Sequence, residues 1–232
     1  MKLRVKFLIV ATSLATLSAT CAYAGSSDQY GSWGGSSSGG VGSQIINGQI
    51  NLQTNWANLN AQVDTVGGDV IGQGSAGGNL VDITTMNNTR VDNSQIVGPG
   101  AAIGSNIDLD ANQVWGSVGI SNQVLCNGAS VSTDPILTAV RSNQECHASD
   151  PASAINSRIT NIAGDAVVQG SALGNSFEAD SNAPNMPIFS RQLNNSIVSS
   201  TVNTHAYNVG GSVALGSSAI GNTSQIIHYS TN

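Results

Sequence analysis

Three observations predict an all-β chain built as a β-solenoid, a stack of repeating β units, across most of these 232 residues. A Gly-Asp…Gly-Asn segment recurs at a spacing near 48 residues. No window keeps a helical period. Charged side chains make up only 9% of the chain, well below the quarter or so typical of soluble domains. The competing fold is a β-sandwich, in which a Gly/Ser-rich composition mimics a repeat.

Residues 1–24 read as a secretory signal. Lys2, Arg4 and Lys6 precede an apolar stretch over 7–17, and Ala22, Tyr23 and Ala24 form a small-residue cleavage box. Cys21 invites a lipoprotein reading, but Ser18, Ala19 and Thr20 before it do not make a lipobox. Residues 25–43 are nearly all Gly and Ser around Tyr30 and Trp33, a composition unable to bury a core and expected to be a flexible leader. The repetitive β domain is placed at 44–232. No later segment approaches the roughly 18 apolar residues of a membrane-spanning helix, so no integral span is expected.

Within that domain the segment 68–79 returns at 164–175, an offset of 96 residues, and again at 211–222. A degraded copy over 116–122 fills the gap, giving four units of about 48 residues. Each copy follows a β-prone stretch, at 62–66, 107–115, 158–162 and 199–209. Alternation is clearest over 50–53, 107–110 and 196–209. Residues 55–63 fit a helix or a strand, and 100–106 resembles the tail of the unit, suggesting a half-period. Gly78, Asn79, Gly174, Asn175, Gly221 and Asn222 are expected to be repeat corners, with glycine turning the chain through positive φ.

Cys126 and Cys146 are the two cysteines left after signal removal, and an exported chain favours their disulfide. Closing that loop removes about 3 kcal/mol of unfolded-state entropy. The segment between them reads as an irregular excursion with a helix around 135–141. A metal site from Cys126, Cys146 and His147 is the rival, disfavoured because a fourth ligand is not apparent.

Stacking explains the low charge. Equivalent side chains in stacked strands lie about 4.8 Å apart, where two like charges repel by roughly 0.9 kcal/mol even in water. Asn, Gln, Ser and Thr instead hydrogen-bond along the stack. The thirteen carboxylates are therefore expected mostly at corners and loops.

Beyond residue 24, thirteen carboxylates face four arginines, a net charge of −9 with no lysine, which argues against nucleic-acid partners. A phosphate-binding P-loop needs a lysine that is missing. No cofactor or metal is expected. Asp108 and Asp110 share one strand face, which suits a cation contact or simply a solvated surface. Asp64 with Asp69, and Glu178 with Asp180, are the nearest candidates for the carboxylate pair of a polysaccharide-cleaving enzyme. No other catalytic-looking cluster surrounds them, so a non-enzymatic chain is expected. Trp56, Trp115 and Tyr207 are expected as core or corner fillers.

The repeated Gly-Asp-(Val/Ala)-(Ile/Val)…Ser-Ala-(Leu/Ile)-Gly-Asn units, with the exported, lysine-depleted, Asn/Ser-rich character, resemble the holdfast-anchoring surface proteins of stalked alphaproteobacteria, most closely the HfaD type. The resemblance covers roughly 66–222. It implies a protein of the outer cell surface that anchors an adhesive polysaccharide, with exopolysaccharide or other envelope proteins as partners. Residues 212–222 also resemble the head repeats of trimeric autotransporter adhesins, whose shorter period is not kept here. The Gly/Ser leader is similar to that of curli subunits, which implies self-association into fibres as the alternative, although Asn55 falls one residue late for the curli repeat.

Overall fold

The computed structural model describes residues 43–86, 89–133, 138–182 and 186–229. The expected signal and nearly all of the Gly/Ser leader lie outside them. Twelve strands run β1 (Ser43–Asn51), β2 (Asn55–Val66), β3 (Val70–Thr85), β4 (Thr89–Val97), β5 (Ala102–Val114), β6 (Val118–Thr133), β7 (Thr138–Cys146), β8 (Ser149–Ile162), β9 (Ala166–Ser181), β10 (Ile188–Asn194), β11 (Ser199–Val209) and β12 (Val213–His228). They form three parallel four-stranded sheets: A is β1-β4-β7-β10, B is β2-β5-β8-β11 and C is β3-β6-β9-β12. The chain is thus a β-solenoid of four coils, each visiting A, B and C in turn.

Register follows the sequence repeat. Val70, Val118, Ala166 and Val213 stack on one another, as do Asn79, Asn127, Asn175 and Asn222. Sheet C is long enough to face both others. Its first half packs on sheet B around Ile107, Leu109, Ile120, Ile155 and Val168, and its second half packs on sheet A around Val91, Val131, Val140 and Phe177. Phe177 is flanked in its column by Ala129 below and Ser224 above, so neighbouring coils make room for the ring.

Two phase changes shape each coil. Near the end of sheet B the inward positions step from Val63 to Val66, Ala111 to Val114, Ile159 to Ile162 and Ala206 to Val209. The outward residue between them is Thr65, Gln113, Asn161 or Asn208, each with φ between 53° and 58°. Midway along sheet C the inward phase steps again, from Ala76 to Asn79 and from Ala172 to Asn175. The expected corner residues Gly78, Asn79, Gly174, Asn175, Gly221 and Asn222 stand at this second step, inside β3, β9 and β12.

The expected reason for those glycines needs correcting. Gly100 alone among the described glycines has positive φ. Gly78 and Gly174 are small because space is lacking: a Cβ would run into the carbonyl oxygens of Cys126 and Gly221 respectively. The other left-handed positions among the described residues are held on the exterior by Thr65, Gln113, Asp150, Asn161 and Asn208.

Cys126 occupies the column of those glycines in the second coil and turns into the interior, where it is disulfide-bonded to Cys146 of sheet A in the third coil. Both sulfurs are consumed, so the metal site with His147 does not form. The segment between the cysteines is no excursion. It comprises the second half of β6 and all of β7, joined through 134–137, which lie outside the described residues; 138–141 is strand, not helix. Residues 55–63 are strand as well. The half-period at 100–106 also fails, since 102–106 belong to β5 and pair with the equivalent strands of neighbouring coils.

The interior is partly polar, and two columns account for its order. Asn79 Nδ2 donates to Asn127 Oδ1 (2.9 Å), Asn127 Nδ2 to Asn175 Oδ1 (2.8 Å) and Asn175 Nδ2 to Asn222 Oδ1 (2.8 Å). Each of the three donors also reaches a sheet A carbonyl, of Ile96, Glu145 or Leu193. Opposite them Gln95 Nε2 donates to Gln49 Oε1 (2.9 Å), Gln144 to Gln95 (2.9 Å) and Gln192 to Gln144 (3.0 Å). Every glutamine of this column also donates to a sheet C carbonyl, of Leu80, Gly128, Ser176 or Thr223. The two ladders run in opposite directions and brace sheets A and C against each other. At about 1 kcal/mol net per bond they are a large share of the stability of such a domain.

Candidate binding face

Alternation puts every second residue of sheet B outside, and register then lines those residues up along the stack. Gln62, Asp110, Arg158 and His205 form one outer column; Asp64, Asn112, Thr160 and Tyr207 form the next. Between and beside them runs a shallow groove of about 400 Å³ that crosses all four coils. Of the left-handed residues near the end of sheet B, Asn161 lines it.

The groove floor is organised by hydrogen bonds between coils. Asn112 Nδ2 donates to Asp64 Oδ1 (3.0 Å), Thr160 Oγ1 and Asn161 Nδ2 donate to Asn112 Oδ1 (2.9 and 3.0 Å), and Asn208 Nδ2 donates to Asn161 Oδ1 (2.8 Å). Tyr207 closes the upper end with its ring 67% exposed. Trp115 is more exposed still, at the turn from B to C, and Trp56 lies over Gly104 on the outside of sheet B. Trp56 and Tyr207 therefore stand on the exterior of a strand, against the expectation of core or corner fillers, while Trp115 does stand at a corner but is exposed there.

The carboxylates also depart from expectation. Asp69 and Asp165 do sit in turns, each accepting from the backbone N–H of the serine one coil on, Ser117 (2.7 Å) and Ser212 (2.8 Å). Asp82, Asp92, Asp108, Asp110, Glu178 and Asp180 lie within strands. They are tolerated because all point outward and because, among the described residues, no carboxylate stacks on another. Asp108 lies between Asn60 and Asn156, Asp110 between Gln62 and Arg158, Asp92 between Ile46 and Arg141, and Glu178 between Ser130 and Gln225. The rule set by repulsion is one of neighbours in the column, not of location.

This geometry separates one candidate acid pair and leaves the other on one strand face. Asp64 faces the groove, while Asp69 lies past the turn, bonded to Ser117. Glu178 and Asp180 share the outer face of sheet C, with Asp82 two coils below Glu178 in the same column. Asp108 and Asp110 do share one face, Asp110 at the groove.

A second polar cluster, absent from the sequence reading, lies on sheet A. Arg191 of the fourth coil reaches Glu145 Oε1 (2.7 Å) and Asn143 Oδ1 (3.0 Å), and His147 Nε2 lies 3.3 Å from Glu145 Oε2. Burial pushes the Glu145 carboxyl upward, but hydrogen bonds from His147, Asn143 and Arg191, with the Arg191 charge, outweigh it and hold the pKa below the ordinary value of 4.5. Among the described residues no group of three or more His, Cys, Asp or Glu is arranged to hold a metal ion. Among the described residues no helix is long and apolar enough to cross a membrane.

The face as a whole offers amide, hydroxyl, carboxylate and guanidinium groups repeated at the strand spacing of about 4.8 Å, open to solvent and aligned with the stack. Such an array is suited to a long polar chain lying along the axis. Comparison with protein-family models, with curated proteins and with solved structures finds no match to this chain.

Proposed function

We propose that this is an exported, non-enzymatic structural and adhesion protein of the bacterial surface, which anchors a polysaccharide adhesin of the holdfast type to the outer envelope. The groove on sheet B carries the reading. Each coil presents polar side chains to it, though of differing kinds, so a long polymer can gain many weak bonds at once, and linked weak contacts multiply into avidity. Tyr207 supplies an exposed ring of the kind that packs on sugar faces, and Asp110 and Arg158 supply charged hydrogen-bond partners side by side. The signal-like N-terminus and the disulfide fit an extracellular setting.

The test is retention of the purified chain on immobilised exopolysaccharide, with Tyr207→Ala, Asp110→Asn and Arg158→Gln as variants. Retention by the parent chain and its loss in the variants support the reading. Failure of the parent chain to bind, together with cells that stay attached under shear after its deletion, would sink it. The second reading, a fibre-forming subunit, draws on a different observation: the strand edges at both ends of the stack are uncovered among the described residues.

A further inference from the structure

We infer that the two ends of the solenoid are complementary to each other, so that the fourth coil of one copy seats the first coil of the next, head to tail and in register. This deepens the fibre reading and does not depend on a polysaccharide partner.

The exposed surface at the ends has the character of interior. Val213 and Leu215 point inward yet are 47% and 54% exposed, whereas Val118 and Ile120, in the same columns two coils down, are 1% and 2% exposed. β10, β11 and β12 each pair on one side only, as do β1, β2 and β3. A covering coil would satisfy both the apolar surface and the backbone groups, and a sheet edge of this kind recruits another strand.

The polar ladders specify which coil. Asn222 accepts from Asn175 but its own Nδ2 has no partner among the described residues, and at the opposite end Asn79 Oδ1 has none. The glutamine ladder ends the opposite way: Gln192 Oε1 is unfilled at the last coil, and Gln49 Nε2, bonded to Leu80, has a second hydrogen to give at the first. A head-to-tail joint therefore places the donor of Asn222 on the acceptor of Asn79, and the donor of Gln49 on the acceptor of Gln192. A third column agrees. Asp69, Ser117, Asp165 and Ser212 alternate up the turn, with Ser117 Oγ accepting from the Asp165 N–H (3.1 Å). After Ser212 the next residue in the alternation is an aspartate, which is Asp69 of the following copy.

Charge and packing point the same way. The first coil (43–85) carries Asp64, Asp69 and Asp82 and no Lys or Arg; the fourth (186–229) carries Arg191 and no Asp or Glu. No like charges meet at such a joint. Ile188 would seat on Ile45, Val202 on Leu59 and Ile226 on Ile83, apolar on apolar. Head-to-head or tail-to-tail contact reverses strand direction and takes every column off its partner. A joint that uses two different surfaces does not close on itself and yields a filament.

The experiment uses the full exported chain and two variants that each add one cysteine to the disulfide-bonded Cys126 and Cys146, at exposed outward positions of one column, Ile50→Cys and Leu193→Cys. The joint brings these Cα atoms to about the 4.8 Å strand spacing, within disulfide range. Unsubstituted protein is followed by sedimentation and fibre diffraction at rising concentration. Growth into filaments with a 4.8 Å axial reflection, and a disulfide-linked pair in the 1:1 mixture that neither variant makes alone, are the expected results. Filaments in which either variant crosslinks to itself, or in which the mixture does not crosslink, overturn the head-to-tail joint while leaving the fibre reading standing. Protein that stays monomeric overturns both, including the case in which a segment of its own chain caps β1 to β3 and protects their edges from hydrogen exchange.

Discussion

Replacing Gln144 by leucine isolates the contribution of the interior ladders. Gln144 is fully buried and makes three hydrogen bonds: its Nε2 donates to Gln95 Oε1 and to the Ser176 carbonyl, and its Oε1 accepts from Gln192. Leucine keeps most of the volume and leaves a buried carbonyl and a buried amide oxygen unpaired. At 0.5–1.5 kcal/mol for each bond the loss is about 2–4 kcal/mol. The same change at Gln49, half-buried on the end coil with two bonds and water within reach, costs about 1 kcal/mol or less. The Gln95→Leu, Gln144→Leu pair falls short of the sum of its singles by about 1 kcal/mol, because the shared bond is counted in both. Urea unfolding followed by circular dichroism and by tryptophan fluorescence reads these values, provided the two probes give one transition. A Gln144→Leu protein as stable as the parent, or a Gln49→Leu protein as damaged as Gln144→Leu, would refute the claim that the ladders hold sheet A to sheet C.

Gly174→Ala forces a Cβ into the Gly221 carbonyl and is expected to cost 2 kcal/mol or more, roughly the range for overpacking; Gly119→Ala, with open space around it, is expected to be neutral within about 0.5 kcal/mol. Thermal unfolding of the two separates packing from backbone entropy. Thr65 is a β-branched residue at φ 58°, where the third and fourth coils use asparagine, so Thr65→Asn is expected to stabilise by about 0.5–1 kcal/mol. No gain in urea midpoint would show that its bond to Gln113 Oε1 outweighs the strain. Glu145 has a lowered pKa, so its contribution is present above the unfolded-state value and is lost as pH falls through the folded one. The stability gap between the parent and Glu145→Gln should therefore close below about pH 4.5, and a gap that persists in acid would assign the effect to something other than the carboxylate charge.

Three members of the asparagine column, Asn79, Asn175 and Asn222, were legible as equivalent positions, though as corners and without Asn127, because they sit inside the one segment that repeats with even spacing. The glutamine column was not, although Gln49, Gln95, Gln144 and Gln192 are its equal in the structure. Its intervals of 46, 49 and 48 residues are uneven, chiefly because the connections from sheet A to sheet B differ in length and to a smaller degree because those from sheet C back to sheet A do. The usable signal was the residue two before each, Asn47, Asn93, Ser142 and Ser190, which is polar and also points inward. The helix expected at 135–141 is strand over its described part, 138–141, for a related reason: local propensity carries no information about the coil below, and β4 offers its edge for pairing. The groove was invisible for a stronger reason. Its outer columns join residues 48 apart whose types differ in every coil, so no motif marks them.

The sequence by itself determined the period, the all-β character and the sparing use of charge, because each is imposed by stacking one coil on the next, and the pairing of the two cysteines, because only two remain beyond the expected signal. Only the tertiary structure decided which residues face one another across the coil. That depends on two phase shifts, at the left-handed residues of sheet B and at the Gly-Asn step of sheet C, and a shift of one residue exchanges inside for outside. It thereby settled that most of the described carboxylates lie on strands with neutral or cationic neighbours, that Trp56, Trp115 and Tyr207 are exposed while Phe177 is inside, and that each ladder, among the described residues, ends in an unfilled donor at one end and an unfilled acceptor at the other, the two ladders being opposed.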